Sequence, residues 1–468
     1  MTGSIPADVC RDLSDRIGPD AVCRPDAVER RRYSSDYQMT APAQASILAV
    51  ARPTTTAAVS AVMAYCHQHR ITVVPQGGLT GLAGGAVPVT PCVVLSFERM
   101  RSIRELDLHT GTITVDAGVL METVQKTADA AGLFYPLDIG ARGSCQTGGN
   151  LSTNAGGHWV LRYGMARQNV LGLEVVLADG TVLPGLRKMV KDNAGYDLRD
   201  LFIGSEGTLG LITAAVIRLQ PKPLSRMTAF FALDDYEGVL SLLTFVRQRF
   251  AEQLTAFEVM WPEFYDLSTQ GLGQQPPLPS GHGAYVLVET RGQDPQRDFA
   301  HFNDTMELAY EYVAVRDAVV AHSDEQIEKL WSIRDTPGRW REAGHHPQLS
   351  FDIGASTGDL GRLVADLRQE FVLLAGALKV IYFAHAADGN LHVSVPMNGL
   401  IEEKAVEKLV YNTVARYGGS ISAEHGVGLV KREYLGLSRS PAEISLMRGL
   451  KRLLDPRDIL NPGKVVCP

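Results

Sequence analysis

The sequence predicts an α+β protein in which an α/β domain is followed by an α+β domain with an antiparallel sheet and a C-terminal helical segment. Residues 42–223 alternate short β-branched runs with helical stretches, which is typical of α/β units. Over residues 224–400 the predicted helices are longer and separate individual strands. Residues 1–41 and 401–468 are largely helical. At 468 residues the chain exceeds what one hydrophobic core usually supports, so several domains are expected.

The individual elements follow from the spacing of the apolar residues. Strands are predicted at residues 71–74, 112–115, 284–290, 380–385 and 391–395. Helices are predicted at residues 57–69, 236–249, 402–417 and 441–454. The boundary between the two main domains is placed at Gln220-Pro221-Lys222-Pro223, because two prolines so close together interrupt strand pairing and stiffen a connector.

Composition excludes several classes of protein. The chain carries 45 basic and 52 acidic residues, a formal charge of −7, and no basic stripe interleaved with aromatics, so a nucleic-acid partner is not expected. The six cysteines are scattered without a CxxC pair, which argues against a disulfide framework or a thiolate metal site and favours a reducing compartment. The N-terminus lacks a signal-peptide core and no apolar run is long enough to span a bilayer, so we expect a cytoplasmic protein without a transmembrane segment.

A first glycine-rich loop follows the strand predicted at 71–74. Five glycines between residues 76 and 85 allow successive backbone N–H groups to converge on an anion such as a diphosphate. The loop has neither the Walker pattern nor the GxGxxG pattern, and a purely structural glycine turn is the alternative. The candidate binding residues are Pro75, Gly77, Gly78, Leu79, Thr80, Gly81, Leu82, Gly84 and Gly85.

A second glycine-rich loop combines glycines with hydroxyl and amide side chains. This composition suits hydrogen bonds to a heteroaromatic ring and a ribityl chain. Two such loops in one domain make a chance occurrence improbable. The candidate residues are Gly143, Ser144, Thr147, Gly148, Asn150, Thr153, Asn154, Gly156 and Gly157.

Residues 143–157, 161–164, 175–180 and 201–210 resemble the p-cresol-methylhydroxylase-type FAD domain of the vanillyl-alcohol-oxidase superfamily. The resemblance implies a two-subdomain FAD-binding domain in which the first loop holds the diphosphate, the second lies against the isoalloxazine and the Ile212 region contacts the adenosine half. No His or Cys stands in the first loop where some relatives attach flavin, so FAD is expected to be non-covalent. The resemblance adds as cofactor residues Tyr163, Gly164, Glu206, Gly207, Gly210, Ile212 and Asn461.

Two histidines flank a predicted hairpin. His385 and His392 are expected opposite each other across a turn formed by Asp-Gly-Asn. Two imidazoles and one carboxylate form a three-ligand site with an open position, which a catalytic divalent metal needs, and Glu424 is the candidate third ligand. The adjacent His425 points in a different direction and is available as a base. The alternative is that these histidines are hydrogen-bonded core residues.

Residues 385–392, 422–428 and 455–464 resemble the C-terminal FAD-oxidase domain of the D-2-hydroxyacid dehydrogenase branch, which includes D-2-hydroxyglutarate dehydrogenases, D-lactate dehydrogenases and glycolate-oxidase flavoprotein subunits. The resemblance extends from about residue 33 to residue 464. It implies that His385, His392 and Glu424 bind a zinc-like ion, that His425 is the base, and that Arg334 binds the substrate carboxylate.

The function implied is oxidation of a small D-2-hydroxy acid to the 2-oxo acid, with hydride passing from C2 to flavin N5. The electrons would go to an external acceptor such as an electron-transfer flavoprotein, a quinone or a cytochrome. Zinc is the expected metal, although two His and one Glu also accept manganese, cobalt or iron. A homodimer is the default expectation for such an enzyme.

The sequence departs from the D-2-hydroxyglutarate branch at three positions. Ser350 stands in place of a Lys, Ser394 in place of an Asn, and Gly338 near the place of a Thr. Loss of a cation that could pair with a second carboxylate predicts a shorter or less charged hydroxy acid. The residues available to substitute for the cation are Arg341, His345 and His346.

Other functions are compatible with parts of the sequence. The chain could be an FAD-binding subunit of a multi-component glycolate-type oxidase with little activity alone. It could also transfer electrons directly to O₂. A hydrolytic metal site independent of flavin would leave the two glycine loops without a purpose.

Because the flavin is expected to be non-covalent, acid precipitation of the purified protein should release all of it into the supernatant, where its absorption spectrum can be recorded. Flavin absorbance retained in the washed pellet would contradict this expectation.

Overall fold

The structure is a computed structural model that describes residues 6, 8–42, 45–340, 348–376, 378–397, 399 and 401–467. Three residues considered above as substitutes for a missing cation, Arg341, His345 and His346, lie outside the described residues. Among the described residues, no helix combines the length and the apolar composition needed to cross a bilayer.

The described strands, in chain order, are β1 Val22–Cys23, β2 Ile47–Ala51, β3 Thr72–Gln76, β4 Cys92–Ser96, β5 Ile103–Asp107, β6 Thr112–Asp116, β7 Leu133–Phe134, β8 Val170–Val176, β9 Val182–Gly185, β10 Leu211–Arg218, β11 Gln220–Pro221, β12 Ser225–Leu233, β13 Leu254–Met260, β14 Ala284–Gly292, β15 Val315–Val320, β16 Gln348–Gly354, β17 Ile381–His385 and β18 Asn390–Pro396. The described helices are α1 Val9–Ile17, α2 Ala27–Tyr33, α3 Thr56–His69, α4 Met121–Ala130, α5 Thr147–Ser152, α6 Val160–Tyr163, α7 Arg199–Phe202, α8 Tyr236–Phe250, α9 Pro262–Ser268, α10 Pro295–Tyr312, α11 Asp324–Arg334, α12 Pro337–Trp340, α13 Leu360–Ala375, α14 Glu403–Arg416 and α15 Pro441–Leu454. The predicted α+β class is confirmed, and each element predicted from periodicity is present within about two residues of its expected bounds.

Short polar side chains determine where the long helices begin. The side chains of Thr55, Asp235, Asp294 and Ser323 each accept a hydrogen bond from a backbone N–H in the first turn of α3, α8, α10 and α11. Ser440 forms a reciprocal capping box at the start of α15. These caps satisfy donors that have no partner within the helix. The capped helices that were predicted, α3, α8 and α15, begin within one residue of the predicted start.

The chain divides into two compact units. Unit 1 comprises residues 1–157, 164–222 and 424–468, and unit 2 comprises residues 158–163 and 223–423. The division at 222/223 falls in the proline-containing connector. The predicted C-terminal segment is shared, because its residues up to Ala423 belong to unit 2 and those from Glu424 belong to unit 1.

Unit 1 contains two main sheets among its described residues, each with its own apolar core. The four-stranded sheet has the order β1-β2-β4-β3, with β2, β4 and β3 parallel. Its core packs against α1 and α3. The five-stranded antiparallel sheet has the order β5-β6-β10-β8-β9 and packs against α4 and α5. This arrangement agrees with the two subdomains predicted for an FAD-binding domain.

The end of the chain pairs with β3, the strand that leads into the first glycine loop. Val73 donates its N–H to the carbonyl of Ile459 and accepts from the N–H of Asn461, each at 2.8 Å. The ammonium of the buried Lys451 binds the carboxylate of Asp455 at 2.5 Å and also donates to the carbonyls of Thr208 and Leu460.

Unit 2 is built on a seven-stranded antiparallel sheet with the order β15-β12-β14-β13-β17-β18-β16 among the described residues. Helices α9 and α11 share an apolar core with β12, β13, β14 and β17 on one face of this sheet. Residues 158–163, which include α6, belong to this unit and lie near β13.

Removal of one partner from the buried Lys451–Asp455 pair should strongly destabilise unit 1. Lys451→Met keeps the aliphatic stem but leaves the buried Asp455 carboxylate without its cation, which we expect to lower the free energy of unfolding by about 3–5 kcal/mol. The matched control Lys126→Met removes an exposed pair with Glu122 and should cost at most about 1 kcal/mol. Urea denaturation of both variants measures the difference, and equal effects would contradict it.

Candidate functional site

Two predicted metal ligands lie on one face of the unit 2 sheet. His385 pairs in register with Asn390, and His392 pairs with Phe383. The expectation that the two histidines face each other directly is therefore wrong. The connection between the strands comprises the four residues 386–389, whereas His385 would oppose His392 only if all six residues 386–391 formed the connection. The two rings are diagonal neighbours with centroids 5.2 Å apart.

A buried glutamate that sequence reasoning missed lies beside His385. Glu258 on β13 pairs in register with His385 and is 1% exposed. Its Oε1 is 2.7 Å from Nδ1 of His385 and its Oε2 accepts from Nε of Arg334 at 2.7 Å. Burial by itself raises the pKa of Glu258, but the charges of His385 and Arg334 outweigh burial and hold the pKa well below its usual range. Glu258 is therefore ionised.

Arg334 is the last residue of α11 and is only 4% exposed. Its guanidinium carbon lies 4.7 Å from the ring centre of Phe383, and Nη2 is 3.4 Å from Nε2 of His385. The contact of Nε with Glu258 and that of Nη2 with His385 use two of the five N–H donors of the guanidinium. A surface salt bridge, the ordinary role of a lone arginine, does not describe this buried group.

His158 is a second residue that sequence reasoning missed. Its ring centroid lies 4.9 Å from that of Trp331 and 5.5 Å from that of His385, and Nε2 lies 3.7 Å from the carboxylate of Asp335. The available signal was its position directly after Gly157 at the end of the second glycine loop. An imidazole there extends the cluster of Glu258, His385 and Arg334.

Asp352 organises the segment that leads to Glu424. Its carboxylate, fully buried on β16, accepts from Nδ2 of Asn390 at 2.8 Å, from the N–H of Ala423 at 3.2 Å and from the hydroxyl of Ser422 at 3.3 Å. The same side chain thus fixes the start of β18 and the chain immediately before the predicted third ligand.

The two serines that depart from the D-2-hydroxyglutarate pattern are direct cross-strand partners. Ser350 on β16 pairs with Ser394 on β18, and their hydroxyl oxygens are 3.5 Å apart. Ser394 lies two residues after His392 on the same face of the sheet. This part of the face therefore carries small neutral hydroxyls. Gly338, the third departure, lies in α12.

In unit 1 the two glycine loops meet. A Cβ on Gly78 would overlap the carbonyl oxygen of Ser144, and one on Gly77 would lie 3.6–3.7 Å from Gln146 and Gly149. Glycine at position 78 is therefore required by direct backbone contact. The sequence predicted both loops but could not show that they adjoin.

The loop containing Glu424 and His425 lies on this glycine framework within unit 1. Gly157 donates its N–H to Oε1 of Glu424 at 2.9 Å. Glu206 accepts from the N–H groups of Val427 and Gly428 at 2.7 and 2.9 Å. Burial raises the pKa of Glu206, although these two hydrogen bonds oppose the rise. The backbone after His425 is thus held by the carboxylate of Glu206, and the side chain of Glu424 before it is held by the N–H of Gly157.

Four predicted cofactor residues hold left-handed backbone. Leu79, Asn154, Glu206 and Asn461 have φ of 59°, 52°, 53° and 42°. Non-glycine residues in this region persist only where the surroundings over-determine them, and they cluster at ligand sites. Nδ2 of Asn461 donates to the carbonyls of Gly85 and Glu206, which ties the C-terminal tail to the first glycine loop.

All predicted cofactor residues except Tyr163 belong to unit 1. Tyr163 belongs to unit 2. Gly207 lies against Pro75, and Gly210 packs against the β8 and α7 side chains Val175 and Phe202. The predicted cofactor residues in unit 1 are Pro75, Gly77, Gly78, Leu79, Thr80, Gly81, Leu82, Gly84, Gly85, Gly143, Ser144, Thr147, Gly148, Asn150, Thr153, Asn154, Gly156, Gly157, Gly164, Glu206, Gly207, Gly210, Ile212 and Asn461.

Several buried polar atoms in unit 1 have no hydrogen-bond partner among the described residues. They include Oε1 of Gln76, Oε1 of Gln146, Oδ1 of Asn461 and Nζ of Lys464. Burial lowers the pKa of Lys464 to about 8. Unsatisfied buried polar groups are rare in native proteins, and their presence beside the glycine loops is typical of a ligand site.

Comparison with known families agrees with this geometry. Residues 222–465 match the model "FAD linked oxidases, C-terminal domain", which covers more than half of the chain, and residues 47–184 match "FAD binding domain". The chain belongs to the FAD-linked oxidase family. The family predicted from the glycine loops and the histidine segments is thereby confirmed.

Individual relatives are similar to this chain over most of its length. A mitochondrial D-2-hydroxyglutarate dehydrogenase of Bos taurus is 41% identical, covering 89% of the chain and 76% of the relative. A putative mitochondrial D-lactate dehydrogenase of Schizosaccharomyces pombe is 40% identical, covering 89% and 81%. The solved structure of p-cresol methylhydroxylase with substrate bound shares the fold, with a TM-score of 0.79 at 17% identity over 98% of the chain and 96% of that structure.

Substitution at the contact between the loops should remove FAD. Gly78→Ala places a methyl group against the carbonyl of Ser144, so the two loops must separate, and we expect the purified variant to contain little flavin and to lose about 1–3 kcal/mol of stability. The matched control is Gly140→Ala, whose Cβ would meet no atom within 4 Å. Flavin absorbance per protein measures the result, and full occupancy in Gly78→Ala would contradict it.

Proposed function

We propose that this FAD-linked oxidase oxidises a small D-2-hydroxy acid to the 2-oxo acid with the help of a divalent metal, and passes the electrons to a separate acceptor. The observation that carries the proposal is the buried cluster of Glu258, Arg334 and His385, which places a guanidinium, a group suited to carboxylates, beside an imidazole, a group suited to metals. Two relatives that cover most of the chain carry the names D-lactate dehydrogenase and D-2-hydroxyglutarate dehydrogenase.

The unit 1 loops fit FAD in their chemistry. Close backbone approach at Gly78 brings the two loops together, and glycine N–H groups bind phosphate oxygens. The buried Gln76, Gln146 and Asn461 oxygens and the Lys464 amine supply acceptors and a donor for the polar groups of a nucleotide. The residues proposed to hold FAD are those named above for the two loops, with Tyr163, Glu206, Ile212 and Asn461.

The donor set for the metal is His385, His392 and Glu424. Two imidazoles and a carboxylate suit zinc, and also manganese, cobalt or iron. The bond between Nδ1 of His385 and Glu258 supports this role, because metal-binding histidines commonly donate their other ring N–H to a carboxylate.

When bound, FAD would supply the hydride acceptor at N5, and the metal would supply a Lewis acid that makes the C2 hydroxyl more acidic. The protein residues orient the acid and move the proton. The guanidinium of Arg334 binds the substrate carboxylate and thereby orients C2. His425 accepts the hydroxyl proton, and no covalent intermediate with the protein is required.

The substrate is proposed to be shorter or less charged than D-2-hydroxyglutarate. Ser350 and Ser394 carry neutral hydroxyls on the face that bears His392, and neither can pair with a second carboxylate. A second substrate carboxylate at this position would be desolvated without gaining a cationic partner, which is unfavourable. D-lactate fits this description among the acids that appear in the relatives' names.

The acceptor is proposed to be an electron-transfer flavoprotein, a quinone or a cytochrome, and the working assembly a homodimer. The cytoplasmic location stays a prediction, since the Bos taurus and Schizosaccharomyces pombe relatives are named mitochondrial.

An FAD-binding subunit of a multi-component oxidase is the alternative function, and it predicts little turnover by the isolated chain.

Anaerobic flavin bleaching tests the proposal. The purified protein is mixed with D-lactate, L-lactate and D-2-hydroxyglutarate before chelation, after chelation and after zinc is added back. We expect D-lactate to bleach the flavin fastest, chelation to abolish bleaching and zinc to restore it. His425→Ala should retain FAD and bleach about 10²–10⁴-fold more slowly.

Each contrary result has a definite meaning. A flavin that no hydroxy acid reduces would favour the subunit alternative. Bleaching that survives complete metal removal would exclude the metal, and wild-type bleaching rates in His425→Ala would exclude that residue as the base.

A further inference from the structure

We propose that Glu258 is a positioning residue that sets the protonated nitrogen of His385 and the orientation of the Arg334 guanidinium. The inference rests on the proposed function for the roles of His385 and Arg334. Its structural basis lies wholly within unit 2. No sequence motif identified Glu258, which lies in the middle of an apolar strand.

The carboxylate of Glu258 divides its two oxygens between two partners. Oε1 lies 2.7 Å from Nδ1 of His385, and Oε2 lies 2.7 Å from Nε of Arg334. All three residues are at most 5% exposed. Both contacts have the length of charge-assisted hydrogen bonds, so Glu258 holds two separate functional groups at once.

The contact with His385 determines the tautomer of the neutral ring. An ionised carboxylate only accepts hydrogen bonds, so Nδ1 carries the proton and Nε2 carries the lone pair. The Nη2 of Arg334, which can only donate, lies 3.4 Å from Nε2, in agreement with a lone pair there. Nε2 is therefore the ring nitrogen that this arrangement prepares for a metal ion.

The contact with Arg334 determines the plane of the guanidinium. Nε is bound to Glu258 on one side, while the ring of Phe383 lies against the group with its centre 4.7 Å from the guanidinium carbon. A planar group held at one edge and one face cannot rotate freely. The terminal nitrogens then meet a substrate carboxylate in a fixed direction, with less conformational entropy lost on binding.

Glu289 provides a matched comparison within the same sheet. It is also fully buried, on β14, and it accepts from Nε of Arg226, Nε of Arg291 and Nε1 of Trp331. It contacts neither His385 nor Arg334 in these interactions. If Glu258 were only a structural buried charge, its replacement should have the same effect on His385 and on zinc affinity as replacement of Glu289.

The test uses Glu258→Gln in the FAD-loaded, metal-free protein. The glutamine oxygen can accept from Nε of Arg334, but its amide NH₂ then faces Nδ1 of His385 and favours the tautomer protonated on Nε2. We expect ¹⁵N NMR of selectively labelled histidine, at alkaline pH where the ring is neutral, to show Nδ1–H in the wild type and Nε2–H in the variant. Comparison with a His385→Gln spectrum assigns the signal.

Zinc affinity, measured by competition with a chromophoric chelator, should fall about 10–100-fold in Glu258→Gln. KM for D-lactate should rise severalfold while the wild-type stereochemical preference is kept. Glu289→Gln should change neither the tautomer nor zinc affinity, although it removes an equally buried charge.

An Nε2–H tautomer in the wild type overturns the proposal, and so does an unchanged tautomer or unchanged zinc affinity in a folded Glu258→Gln protein. If Glu258→Gln does not fold, the wild-type tautomer alone decides. If the wild type binds no zinc, the metal part of the proposed function fails, and the tautomer still decides the role of Glu258.

Discussion

The buried negative charge of Glu258 constrains the chemistry of unit 2. A carboxylate with 1% exposure must be paired and hydrogen-bonded, since an isolated charge in that environment is strongly unfavourable. Its two oxygens bind His385 and Arg334, so the side chains that the proposed reaction needs are held by the same requirement that stabilises the charge. Asp352 meets a similar requirement on β16, which β17 and β18 separate from β13, and there it fixes Asn390 and the chain before Glu424.

Backbone contact plays the corresponding part in unit 1. Gly78 lies directly against the carbonyl of Ser144, and left-handed residues such as Leu79 and Asn461 occur at the same loops. The tail that carries Asn461 pairs with β3 and is anchored by the buried Lys451. Asn461 thus binds Gly85 of the first glycine loop, although the two residues are more than 370 positions apart in the chain. The local strain is stable because distant parts of unit 1 hold it in place.

Membership of the FAD-linked oxidase family supports flavin-dependent oxidation, while the choice of substrate is part of the proposal. The relatives named D-2-hydroxyglutarate dehydrogenase and D-lactate dehydrogenase are almost equally similar to this chain, so overall identity does not distinguish between their substrates. Ser350 and Ser394 provide a more local criterion, because they pair across adjacent strands on the face that bears His392. Ser350 and Ser394 are far apart in the sequence but form one cross-strand pair, so both belong to the same part of the sheet.

The sequence by itself determined the α+β class, the positions of the long elements, both glycine loops and the residue types of the candidate site. These features depend on hydrophobic periodicity, turn residues and short motifs, which are local along the chain. Only the tertiary structure decided that His385 opposes Asn390, that Glu258 and His158 join the cluster, and that Glu206 holds the loop containing His425. The contacts of Glu258 with His385 and of Glu206 with Val427 join residues more than a hundred positions apart, and no local pattern encodes which of many possible partners will meet. The register of the β17–β18 hairpin is set by the exact length of its connection, which the residue types alone left open.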